Sequence, residues 1–242
     1  MSCVTQAIET LLFDFGGTLD ADGVAWKERF HALYRAEGLE MTAEAFAQAF
    51  YAADDRLVGT LAPTASLAET VHSLAASLEA QLAERRAGPP AEAHGAARGE
   101  RVAGRFLSEA LAIVARNRET LEALGERRRL GVVSNFYGNL EAACESSGLA
   151  PLFSVMTDSY CVGAEKPDPA IFRAALKTLG AAPERTLFVG DSLRRDGEGA
   201  RRAGLSFIWI GPKEAHAEVR SAAAPPVLAT LTALPELLDI LE

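Results

Sequence analysis

The sequence predicts an α/β protein, a parallel sheet covered by helices and interrupted after its first strand by a long helical insertion. Three observations carry this reading. Five short apolar runs lack polar alternation, the pattern of strands buried on both faces. Amphipathic helical stretches lie between the later runs, as right-handed crossovers between parallel strands require. The stretch from 21 to 115 contains no convincing strand and is rich in Ala, Leu, Glu and Arg at helical spacing.

Taken in order, the predicted strands are Leu11–Phe15, Leu130–Val133, Leu152–Met156, Thr186–Val189 and Ser206–Ile210. The predicted core helices are Leu140–Ser147, Ala170–Leu179 and Gly197–Ala203, each followed by a glycine suited to a C-cap, namely Gly148, Gly180 and Gly204. In the insertion, Thr42 and Ser66 read as helix starts, and Ser66-x-x-Glu69 matches a capping box. Residues 87–99, AGPPAEAHGAARG, read as a Gly/Pro/Ala linker without periodicity. No internal repeat is present. The expected division is an α/β core of 1–20 and 116–242 and a helical domain of 21–115.

Composition excludes several classes. With 242 residues the chain can bury a sizeable core, and 49 % hydrophobic and 24 % charged residues fit a globular protein. The net charge of −9 and pI of about 5.1 leave no electrostatic footprint for nucleic acid or anionic lipid. Cys3, Cys144 and Cys161 have neither metal nor disulfide spacing and read as reduced thiols. The N-terminus does not read as a signal peptide, and no apolar run approaches the ~20 residues of a membrane span. The expected setting is the cytoplasm.

Chemistry gathers after the strands. Asp14, Gly16, Gly17 and Thr18 follow the first, Ser134 and Asn135 the second, and Asp191 the fourth, with Asp196 five residues on. Lys166 precedes a Pro-Asp-Pro turn that starts a helix. In open α/β sheets ligands bind at the carboxyl ends of the strands where their order reverses, so these groups converge on one rim. Asp14 and Asp191 can hold a hard divalent cation, because Mg²⁺ takes one or two carboxylates together with substrate phosphate and water. Lys166 and Ser134 can neutralise and orient phosphate oxygens. A carboxylate fixed beside them can act as a nucleophile on phosphorus. The two glycines permit a tight turn and close backbone approach to an anion. Singly, each group is an ordinary turn, cap or surface residue; their recurrence after successive strands marks the site.

The stretches LLFDFGGTLD, GVVSN, GAEKPDPAIF and LFVGDSLRRDGEGARRAG stand in this order across the core. They resemble the motifs of the haloacid dehalogenase-like (HAD) hydrolase superfamily, mainly its phosphatase branch. The resemblance implies a Rossmann-like core with a helical cap inserted after the first motif. It implies that Asp14 is the nucleophile and a Mg²⁺ ligand, with the Gly16 carbonyl and Asp191 completing the protein's share of the metal shell and Asp196 supporting it. Ser134 and Lys166 are then expected to bind the transferring group, assisted by Gly17, Thr18 and Asn135. The implied substrate is a small phosphorylated or otherwise activated metabolite.

One position departs from the family pattern. Its phosphatases usually carry a second aspartate, which protonates the leaving alkoxide and later activates water, where this chain has Gly16. General acid–base catalysis is typically worth about 10²–10⁴-fold, or roughly 3–5 kcal/mol of barrier. Three explanations compete. A substitute acid such as Asp20, Asp22 or a cap residue can serve a phosphatase. The substrate can have a leaving group that needs no protonation, as in an acyl phosphate, a phosphonate or a haloacid. Or the chain binds phospho-ligands without catalysis. Gly190-Asp191 favours metal and phosphate over dehalogenation, and Lys27, the only lysine between the first two motifs, is poorly placed for Schiff-base chemistry on a phosphonate. Trp26, His31, Tyr34, Tyr51, Asp54, Asp55, Arg56 and His72 form the pool for substrate specificity. The aromatics there read first as packing and the histidines as surface or hydrogen-bonded groups.

Overall fold

Short runs of Leu, Val, Ile and Phe with side chains buried on alternate faces build a sheet that both surfaces of the protein cover. The computed structural model describes residues 8–85, 92–221 and 226–241. Its six strands are β1 Thr10–Phe13, β2 Arg129–Ser134, β3 Val155–Asp158, β4 Thr186–Gly190, β5 Ser206–Ile210 and β6 Ala229–Leu231. All neighbours are parallel, in the order β3-β2-β1-β4-β5-β6. The chain runs outward from β1 to β3, then crosses back to β4, so the strand order reverses beside β1. Phe13 pairs with Val132 on one side and Val189 on the other, which brings the ends of β1, β2 and β4 level.

Leu11 and Phe13 face one side of the sheet and Leu12 the other. The core helices are α5 Leu140–Ser146, α6 Ser159–Val162, α7 Pro169–Leu179, α8 Glu198–Ala203, α9 His216–Ser221 and α10 Glu236–Leu241. Ile171 and Phe172 of α7 and Ala200 of α8 pack with Leu12 and Phe188. Leu140 of α5 and Leu237 of α10 pack on the opposite face. Gly180 and Gly204 adopt the left-handed conformation at the ends of α7 and α8, as expected of C-caps.

The insertion holds α1 Trp26–Ala36, α2 Ala43–Leu57, α3 Leu67–Arg85 and α4 Glu92–Gly125. Thr42 caps α2 through Ala45 N at 3.3 Å. The capping box at α3 is reciprocal: Glu69 N donates to Ser66 Oγ at 3.2 Å and Ser66 N to Glu69 Oε2 at 2.7 Å. Phe30, Phe46, Phe50, Leu74 and Phe106 form the apolar interior of this part, continuous through Trp26 and Phe136 with the sheet face bearing Phe13. Among the described residues no helix is long and apolar enough to cross a membrane.

Three expectations need correction, and one strand was not expected. Residues 92–99 of the expected linker begin α4, because Ala, Arg and Glu sustain the helix that Phe106 and Val102 anchor downstream; residues 87–91 lie outside the described residues. The third strand starts at Val155, since Pro151 sits in a helical turn at Ala150–Leu152. The first strand ends at Phe13, with Asp14 just beyond it. A sixth strand of only three residues, β6, gave no recognisable periodicity. Residue 116, the expected return to the core, lies within α4, which packs on α1 and α3 near its start and on β2 near its end.

Candidate active site

β1 delivers Asp14 to the sheet rim, where its backbone N–H donates to the Val189 carbonyl at 3.0 Å. One carboxylate oxygen, Oδ1, accepts from Phe15 N at 2.7 Å and from Ser134 Oγ at 2.8 Å, and lies 2.7 Å from Lys166 Nζ. The other oxygen has no hydrogen-bond partner among the described residues. Lys166 is held by Asn135, whose side-chain oxygen accepts from Lys166 N at 2.7 Å and whose amide donates to Lys166 O at 3.1 Å. Asp168 caps α7 just beyond and fixes the same turn.

The Lys166 ammonium is buried and bridges two acids, standing 2.7 Å from Asp196 Oδ1 as well. Burial alone would lower its pKa, but Asp14 and then Asp196 outweigh that and raise it. Asp196 also accepts from Ser192 N at 2.9 Å, which closes the turn after β4. Burial raises the Asp196 carboxyl to about 6 against the pull of Lys166, with Asp14 adding repulsion. Asp191 is raised well above the usual range by burial, then by Asp196 and Asp14. Thr18 Oγ1 donates to Asp191 Oδ1 at 3.5 Å. Asp14, Asp191 and Asp196 each present an oxygen within 4.8 Å of the others. Three carboxylates therefore share one ammonium, and the hard oxygen donors and unbalanced negative charge fit a divalent cation such as Mg²⁺.

The turn after Asp14 is built by its glycines. Gly17 has φ +93°, and a Cβ there would lie 2.6 Å from Asp191 Oδ2, so only glycine fits. Its N–H donates to Asp20 Oδ1 at 2.7 Å and is thereby engaged within the turn. Beside Gly16 the space is filled from the insertion, since a Cβ would meet Trp26 Nε1 at 3.1 Å. The indole donates to Asp20 Oδ2 at 2.7 Å, and Arg29 Nη1 stands 3.1 Å from the same oxygen. Burial raises the Asp20 carboxyl despite Arg29, Gly17 and Trp26.

A cavity of about 560 Å³ opens over this rim. Asp14, Gly16, Ser134, Asn135, Lys166 and Asp191 line its floor, and Trp26, Lys27, Phe50, Tyr51 and Asp54 line it from the insertion. Of the specificity pool, Trp26, Tyr51 and Asp54 reach the cavity. Tyr34 is buried among Phe30 and Phe46, His31 bonds the Met41 carbonyl and His72 pairs with Glu100. Neither Asp20 nor Asp22 lines the cavity, and Asp22 pairs with Arg116 at 2.6 Å. Tyr137, two residues past GVVSN, and Arg194 and Arg195, inside the stretch LFVGDSLRRDGEGARRAG, line it too, and none of the three was singled out from the sequence.

A family model for haloacid dehalogenase-like hydrolases matches residues 8–204. Phosphoserine phosphatase of Thermus thermophilus is 47% identical over 64 residues, 26% of each chain. Haloacid dehalogenase-like hydrolase domain-containing protein 3 of Bos taurus is 39% identical over 116 residues, 47% of this chain and 46% of that protein. The matches thus span from a quarter to just under half of these relatives' length. In structure, magnesium-bound YfnB of Bacillus subtilis shares the fold with a TM-score of 0.56 and 24% identity, over 97% of this chain and 98% of that one.

Proposed function

The chain belongs to the haloacid dehalogenase-like hydrolase family, and from that premise we propose that it is a Mg²⁺-dependent phosphatase acting on a small phosphorylated metabolite through an aspartyl-phosphate on Asp14. The observation that carries this is the state of Asp14: one oxygen held by two hydrogen bonds and the Lys166 ion pair, the other without a hydrogen-bond partner among the described residues, at the floor of a cavity. Helices of 21–115 serve in this reading as a cap over the core.

Asp14, Asp191 and the Gly16 carbonyl would hold the cation, with Asp196 supporting it. When bound, Mg²⁺ supplies positive charge that draws phosphate oxygens to the site and screens their repulsion from the carboxylates. Oδ1 of Asp14 is fixed, so Oδ2 forms the bond to phosphorus while the bond to the leaving oxygen breaks. Ser134 and Lys166 bear on the phosphoryl oxygens as charge builds. Thr18 steadies Asp191, and Asn135 positions Lys166 through its main chain. Water then displaces the Asp14 carboxylate, releasing inorganic phosphate.

A hydrolase of activated leaving groups, an acyl phosphate above all, is the second reading, favoured by the indole that fills the space beside Gly16. A phospho-ligand-binding protein without turnover is the third. The experiment is Mg²⁺-dependent phosphate release from acetyl phosphate, p-nitrophenyl phosphate and a sugar phosphate, with and without Asp14→Asn. The expected result is release that needs Mg²⁺ and vanishes in Asp14→Asn. Turnover surviving that substitution would remove Asp14 as nucleophile, and binding without any turnover would favour the third reading.

A further inference from the structure

We propose that Asp54, on α2 of the insertion, donates the proton to the leaving oxygen, in place of the acid that position 16 lacks. The proposal rests on the phosphatase reading above. With Trp26 filling the space beside Gly16, a donor has to come from elsewhere on the cavity wall. Four acids line that wall. Asp14 and Asp191 belong to the nucleophile and cation cluster, and Glu28, half exposed, pairs with Lys27 at 3.0 Å. Asp54 is left.

Its placement suits the task. Tyr137 Oη donates to Asp54 Oδ1 at 2.5 Å, and Tyr137 stands three residues after Ser134 on the loop that follows β2. The same loop bonds the end of α2 again through Gly59 N to the Tyr137 carbonyl at 3.1 Å. Asp54 is therefore pinned to the loop that addresses the phosphoryl group, although it comes from the insertion. Its Oδ2 has no hydrogen-bond partner among the described residues and is free to hold a proton. Burial raises the carboxyl, with Asp55 adding to the rise and Tyr137 and Arg195 opposing it.

The steps balance. As Asp14 Oδ2 bonds to phosphorus and the phosphorus–oxygen bond to the alcohol breaks, the Asp54 carboxylic acid gives its proton to that oxygen and a neutral alcohol leaves. Asp54, now a carboxylate, takes a proton from the water whose oxygen attacks phosphorus. The bond to Asp14 breaks, inorganic phosphate departs and Asp54 is again the acid.

The test compares kcat/KM, which reports expulsion of the leaving group, for wild type and Asp54→Asn on a sugar phosphate and on acetyl phosphate. The proposal expects a loss of about 10²–10⁴-fold on the sugar phosphate and a loss at least tenfold smaller on acetyl phosphate, whose leaving group needs no proton. Tyr137→Phe should show the same selectivity in weaker form, and Asp54→Glu should recover part of the sugar-phosphate rate. Equal losses on both substrates, or none, would overturn the proposal. So would a wild-type enzyme that turns over acetyl phosphate but no alkyl phosphate. A wild-type enzyme inert on every phosphate, or indifferent to Asp14→Asn, would instead bring down the phosphatase reading itself, and the proposal with it.

Discussion

Gly16 and Trp26 share one space. The indole edge lies 3.1 Å from where a Cβ at position 16 would stand, and it is held by Asp20 and by edge-on contact with Phe106 at 5.2 Å. Restoring the usual acid with Gly16→Asp therefore requires the ring to give by a few tenths of an ångström, against its bond to a buried carboxylate. The expected cost is about 1–3 kcal/mol of stability, read by thermal unfolding, with no gain in sugar-phosphate turnover. A stable variant with faster turnover would show that the indole yields. The convergence of Asp14, Ser134, Lys166, Asp191 and Asp196 on one rim was legible because each follows a strand or a turn with a local signature. Trp26 beside Gly16 and Asp54 beside Tyr137 were not, since each pair meets only through the folded insertion, the second across 83 residues. The amide of Asn135 read as a substrate group, yet its two ends span the Lys166 main chain, a contact across 31 residues that no local pattern encodes.

At the scale of elements, caps and punctuation carried the reading. The capping box of α3 formed as its spacing required, on the exposed side of the insertion. Ser66→Ala should lower stability by about 0.5–2 kcal/mol and leave kcat unchanged, measured by denaturant unfolding beside steady-state kinetics. A change in kcat of more than a few-fold would tie that helix start to the site. Strands β1, β2, β4 and β5 were visible as apolar runs, whereas β6 is too short to show a period. Gly95 and Gly99 made 92–99 look like a linker because glycine is a weak helix former, and the buried apolar residues that impose the helix lie downstream, from Val102 onward.

For the whole molecule, burial of the acid cluster couples stability to pH, and would couple it to any cation that binds there. A carboxyl whose folded pKa is raised binds its proton more tightly when folded. Its contribution is therefore full below the unfolded value and is lost as pH rises towards the folded one, from 3.8 to about 6 for Asp196. Asp191 acts in the same direction. A cation that binds the ionised cluster reverses the loss, by about 2.7 kcal/mol at a hundred times its Kd. The rise in thermal midpoint on adding Mg²⁺ to chelator-treated protein should accordingly be larger at pH 7 than at pH 5. Equal rises would mean that the cluster does not titrate in that window. The 34-residue α4 has a mechanical consequence of its own. It leaves α3 and reaches β2 as one unbroken rod, so torque on the insertion passes straight to the sheet along its axis. Any swing of the insertion must then be taken up on the other crossing, the few residues between Leu19 and Trp26, where Asp20 anchors both the turn after Asp14 and the indole. Tilting the rod would thus strain the turn that holds Asp14, making the geometry of that carboxylate a gauge of how the insertion is seated.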